Sequence, residues 1–138
     1  MDYSTFNIKN FFIKKDSTLP ELKYPLTQHT MEQYDITADM LENCAVTFSM
    51  IDADSGLYRV ANVDGNLVLN NNRPDYPDET QYTLTYRFTL NQTAKTGRYL
   101  GNFTIDFLGS NNCGKIGLPV SGFINVVISD SLTKTTVI

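Results

Sequence analysis

From residue 82 to residue 90 apolar and polar side chains alternate. Tyr82, Leu84, Tyr86, Phe88 and Leu90 stand at the even positions, with Thr83, Thr85, Arg87 and Thr89 between them. A period of two suits a strand that hides one face, and it does not suit a helix. After the polar link "NQTAKTG" the pattern resumes in the other phase, with Tyr99, Phe103, Ile105 and Phe107 on one side and Thr104 and Asp106 on the other. Seven residues are long for a tight hairpin, so the link is expected to carry the chain from one sheet of a sandwich to the other. Tyr99, close behind Gly97 at the start of a strand, then either forms a tyrosine corner or simply opens the strand.

The same period recurs in shorter pieces. In "CAVTFSMI" (44 to 51), Val46, Phe48 and Met50 alternate with Thr47 and Ser49. The turn "DADSG" leads into "LYRVANV" (57 to 63), and "DG" leads into "NLVL" (66 to 69), which together predict a meander. "NNNRPDYPDE" (70 to 79) carries two prolines and three asparagines and is expected as a surface loop. "LPVSGFINVVIS" (118 to 129) lines up Leu118, Val120, Ile124, Val126 and Ile128 as a further strand, its start placed at a sheet edge by Pro119. "ITADMLENC" is the one helix-like piece and is long enough for a single turn.

About seven strands between residue 33 and the end, separated by regular turn signals, predict an all-β, immunoglobulin-like sandwich over residues 33 to 138. Abundant Thr and Val, with eight Tyr and eight Phe, agree with this reading. Phe48, Tyr86, Phe88, Phe103, Ile105, Ile124 and Val126 are its expected core. Residues 1 to 32 behave differently: "FNIKNFFIKK" is β-prone without a clean period, and Pro20 and Pro25 favour an extended course. They are expected to form an N-terminal arm outside the sandwich. Contiguous apolar residues outside a core mark an interaction site. Phe6, Ile8, Phe11, Phe12, Ile13, Leu19, Leu22 and Tyr24 are therefore the expected attachment residues, with Arg73 and Tyr76 as loop contacts. The competing expectation folds the arm back as an edge strand of its own domain.

Catalysis finds little to rest on. His29 and Cys44 could in principle pair as base and nucleophile, but only their identities suggest it. "DADSG" resembles the opening of a calcium loop, yet Val63 stands where the closing carboxylate belongs, so a hairpin turn is the better reading. The loop carboxylates Asp52, Asp54, Asp64, Asp75, Asp78 and Glu79 give no assignable acid and base pair. No catalytic residue, metal or cofactor is expected. A carbohydrate-binding adhesin-like module, with Tyr76 as stacking candidate, is the alternative from another class, and a small hydrolase is the next. "NQT" and "NFT" read as chance matches to glycosylation acceptors.

A net charge of −4 with no basic cluster disfavours nucleic acid as a partner. No apolar run approaches the roughly 20 residues needed to span a bilayer, and the first ten residues lack a signal-peptide pattern. The chain is expected to contact no membrane and to be made in a cytoplasm, with Cys44 and Cys113 as free thiols.

The run from "YDITADMLENCAVTFSMI" through "GRYLGNFTIDF" to "GLPVSGFINVVISDS" resembles the immunoglobulin-like domain at the N-terminus of tailed-phage upper baseplate proteins. The resemblance covers roughly residues 33 to 131. It rests on Ala45, Val46, Thr47 and Phe48, on Gly97, Tyr99, Phe103 and Ile105, and on Pro119, Gly122, Ile124, Val126 and Ile128. It implies a non-enzymatic virion structural protein of tail, baseplate or head, built into the particle after assembly in the host cytoplasm. Its partners would be other virion proteins and copies of itself in a symmetric homo-oligomer, reached through the arm and exposed strand edges.

Overall fold

The structure is a computed structural model that describes residues 10–69, 80–108 and 114–130, with backbone alone at 80 and 81. The alternating segments become strands of two sheets. In chain order the elements are β1 (Asn10–Lys14), β2 (Leu22–Thr27), α1 (Gln28–Gln33), α2 (Ala38–Glu42), β3 (Cys44–Asp52), β4 (Tyr58–Asp64), β5 (Asn66–Leu69), β6 (Thr80–Tyr86), β7 (Gly97–Phe107), β8 (Lys115–Leu118) and β9 (Ile124–Ser129). The larger sheet runs β1-β9-β7-β3-β4, with β8 also paired to β7; the smaller runs β2-β6-β5. The fold is an all-β sandwich.

The inner faces meet through aromatic rings. Phe48 of β3 stacks on Tyr86 of β6 with centroids 4.6 Å apart, and it lies 5.1 Å from Phe103 of β7. Phe88 stands nearly perpendicular to both Phe48 and Tyr86, at 5.7 and 5.1 Å. Tyr24 of β2 sits 6.3 Å from Phe103. Rings from both sheets therefore share one core, and each fully buried side chain of this size contributes about 1.5–3 kcal/mol. All seven expected core residues are buried. Close packing also explains Gly101, where a Cβ would stand 2.8 Å from the Phe48 ring.

The link between β6 and β7 crosses from the small sheet to the large one, as its length predicts. Tyr99 forms the corner: its hydroxyl donates to the Lys95 carbonyl at 2.9 Å. The crossing is held further by Tyr86, whose hydroxyl donates to Gln92 Oε1 at 2.8 Å.

Three expectations need correction. Over its described residues, 10 to 32, the arm is not separate, so the boundary near residue 32 does not divide two parts. β1 pairs in parallel with β9, and β2 pairs antiparallel with β6. Leu22, Tyr24 and Leu26 alternate inward along β2, and Pro25, which has no N–H to donate, is tolerated because β2 is an edge strand. Second, "DG" does not turn a meander. β4 and β5 lie in different sheets, and Gly65 is the crossing point, its N–H donating to the Val46 carbonyl at 2.9 Å. A Cβ at Gly65 would meet the Thr85 carbonyl oxygen at 2.9 Å, so only glycine lets the chain pass this close.

Third, the segment 118 to 129 is not one continuous strand: Leu118 ends β8, and β9 begins only at Ile124. The chain leaves the ladder between Leu118 and Ile124, and Val120 is exposed. Smaller differences have the same kind of cause. β6 ends at Tyr86, so Phe88 is buried from beyond the strand while Leu90 faces solvent. Thr83 and Thr85 are buried although they belong to the polar phase, because β6 is the central strand and the register places Thr83 between Pro25 and Val68. α1 has no counterpart among the sequence expectations; Thr27 caps it by accepting from the Thr30 N–H at 3.1 Å. α2 occupies the expected single turn, with Thr37 accepting from the Met40 N–H.

The core makes the fold sensitive to alkali. Burial, with nearby Tyr34 second, pushes the Tyr24 phenol from 10.0 up to about 12. A raised phenol favours the protonated form in the folded state. Its contribution is complete below pH 10 and is lost as pH rises toward 12, about 2–3 kcal/mol in all at about 1.4 kcal/mol per unit. Burial raises Tyr86 and Tyr99 as well. The urea midpoint should therefore fall steeply between pH 10 and 12, and Tyr24→Phe should remove part of that fall. A flat profile would place Tyr24 in contact with water.

Candidate interaction surface

The structure divides the residues expected to make attachments. Ile13, Leu22 and Tyr24 are buried in the molecule's own core. Phe11 stacks on Phe88 at 5.8 Å and is half-buried. These four cannot serve as an outward surface, because alternate residues of β1 and β2 are used to close the sandwich. Phe12 remains 63% exposed and Leu19 56% exposed, so both are open to a partner. Phe6, Ile8, Arg73 and Tyr76 lie outside the described residues.

Phe12 belongs to a larger feature that the sequence reading missed. The even residues of β1 and the outward residues of β9, β7, β3 and β4 form the outer face of the large sheet. Register places Asn10, Asn125, Leu100, Ile51 and Tyr58 in one row across it. Phe12, Val127 and Arg98 form the adjoining row. Tyr58 and Phe123, which are 69% and 47% exposed, line a shallow groove of about 170 Å³ with Ile51, Leu100, Ser49 and Asn102. Large aromatics this exposed are informative in a way that scattered exposed leucines are not. The signal was present as apolar residues in the supposedly polar phase of three strands, namely Ile51, Leu100 and Val127.

Polar groups order the rest of the face. Ser49 Oγ donates to Asn62 Oδ1 at 3.1 Å and accepts from the Asn62 N–H at 2.8 Å. Asn125 Nδ2 donates to Asn10 Oδ1 at 3.1 Å across β1 and β9. Charges stand toward the two ends: Arg98 and Lys14 at one, Asp64 and the Asp106–Lys115 pair at the other, the pair separated by 3.9 Å. The two rows between, Asn10 to Tyr58 and Asn102 to Asn62, are uncharged.

One end of the sandwich is tied by its loops. Thr93 accepts from the Ser17 N–H at 3.2 Å and donates to the Ser17 carbonyl at 2.8 Å. Arg59 donates to the carbonyls of Gln92 and Asn91. Around the other end, α1 and α2 border an open groove of about 490 Å³ lined by Gln28, Met31, Glu32, Asp35, Ile36, Thr37 and Ala38.

Cys44 and Asp52 take part in local backbone contacts. Cys44 is a free thiol; its Sγ donates to the Leu41 carbonyl at 3.3 Å, and burial pushes it up, opposite to what a thiolate nucleophile requires. His29 is exposed on α1. Cys113 is outside the described residues. Asp52 shapes the β3–β4 turn by accepting from the N–H groups of Asp54 and Ser55 at 2.8 and 3.0 Å. The Ser55 and Asp54 N–H bonds, in that order, hold its carboxyl below the usual range. Among the described residues no cluster of three metal-ligating side chains occurs, and no helix is long and apolar enough to cross a membrane.

The chain matches no known protein-family profile, no curated protein and no solved structure.

Proposed function

We propose that this chain is a non-enzymatic structural component of a tailed-phage virion, an immunoglobulin-like block that attaches to neighbouring subunits. The strand order supports the immunoglobulin-like part of the reading. β4-β3-β7-β9 opposite β5-β6-β2 follows the C′-C-F-G and D-E-B order of immunoglobulin-like sandwiches, and Tyr99 supplies the corner bond expected before strand F. Eight of the thirteen positions on which the baseplate resemblance rests, Val46, Phe48, Tyr99, Phe103, Ile105, Ile124, Val126 and Ile128, belong to the hydrophobic core, whereas Ala45 and Thr47 are half-buried in the alternate phase of β3. A sandwich by itself carries no function. The exposed outer face of the large sheet, with Phe12 from the N-terminal segment and Tyr58 from β4, supports the attachment role.

Antibodies raised against the purified chain test this reading on particles from the source of the sequence. Label at a fixed place on intact particles is the expected result. Purified particles that contain head and tail proteins but lack this chain would overturn it.

A further inference from the structure

We propose that the outer face of the large sheet docks a second copy of this chain, the two copies being related by a two-fold axis that runs along the groove from Tyr58 to Phe123. The inference rests on the reading of the chain as a self-associating structural subunit, and it names the surface. Three observations point to it.

The first is chemical. The middle of the face combines Ile51, Leu100, Tyr58 and Phe123 with neutral amides and a serine, and no charged side chain stands in its two central rows. Interface centres have this character, depleted in charge and enriched in aromatic residues.

The second is charge placement. Arg98 lies on β7 opposite Val127, on one side of the groove. Asp64 lies on β4 opposite Thr47, on the other side. Both are exposed. Rotation by 180° about the groove brings Arg98 of each copy toward Asp64 of the other. A two-fold interface makes every contact twice, so one attractive pair becomes two.

The third is size. Five strands roughly 4.8 Å apart make a face roughly 20 Å wide and roughly 25 Å long, a plan area on the order of 500 Å². Side-chain relief makes the accessible area larger, toward the roughly 600 Å² per partner at which specific interfaces begin. The 170 Å³ groove alone is small for a separate ligand site.

Sedimentation of the full chain over a range of roughly 1 to 200 μM reads the result directly. The mass should rise from 15.6 kDa toward twice that value. Arg98→Asp and Asp64→Arg should each weaken association by about tenfold or more, and the two together should recover to within about threefold of the original. Tyr58→Glu, at the axis, should abolish the dimer and serves as the second probe should either reversal fail to fold. A chain that stays monomeric throughout overturns the proposal, as do dimers indifferent to these substitutions or a double variant no better than either single one. The outcome is separable from the virion reading. A monomer that still labels particles removes only this interface, and a dimer absent from particles removes only the virion assignment.

Discussion

Replacing Phe103 with alanine is expected to lower the unfolding free energy by about 3–5 kcal/mol. Phe103 is fully buried and touches rings of both sheets, Phe48 within the large sheet and Tyr24 across from it. Truncation leaves a cavity that neither sheet can close, because Phe48 is held in turn by Tyr86 and Phe88. Domains of this size have about 5–15 kcal/mol in total, so the loss is roughly a fifth of the margin or more. Urea denaturation should show a lower midpoint with an unchanged slope. A loss below about 1 kcal/mol would mean that the ring does not join the two sheets.

Deleting residues 1 to 15 is expected to abolish the cooperative melt. The deletion removes β1, which supplies five rungs to β9, together with Ile13 from the core and Phe11 from its stack on Phe88. Losing Ile13 alone to alanine would cost about 2–5 kcal/mol, and the deletion adds an uncovered edge along β9. Circular dichroism on heating reads the outcome. A truncated chain that melts like the full one would restore the N-terminal segment to the role of a detachable arm.

Where one face of a strand was buried and the other wet, the sequence was legible. β3, β7 and β9 follow the alternation of their residues, and the length of "NQTAKTG" marked a crossing between sheets. β2 also carried its signal, in Leu22, Tyr24 and Leu26, but Pro20 and Pro25 masked it, since proline argues against a strand unless the strand lies at an edge. Sequence contains no statement about edges until neighbours are known. "DG" at 64 and 65 misled for a related reason: the same dipeptide that suits a hairpin also suits a place where two backbones nearly touch, and only the Thr85 carbonyl distinguishes them. The outer face was hidden because its members, Phe12, Leu100, Ile51 and Tyr58, come from four strands and meet only through register.

The parallel pairing of β1 with β9 also fixes how the molecule bears load. Asn10 and Asp130 stand at opposite ends of the same two-strand ladder, which runs from the Asn10–Asn125 rung to the Lys14–Ser129 rung and is extended by the Lys15 N–H bond to the Ser129 carbonyl at 2.8 Å. Tension applied through those two points pulls the strands past each other along their length. Every rung is then strained together, in shear, whereas an antiparallel terminal pair pulled from its open end would unzip, its bonds breaking in succession. The strands that close the sandwich thus also make it a block that keeps its shape under force applied along the chain.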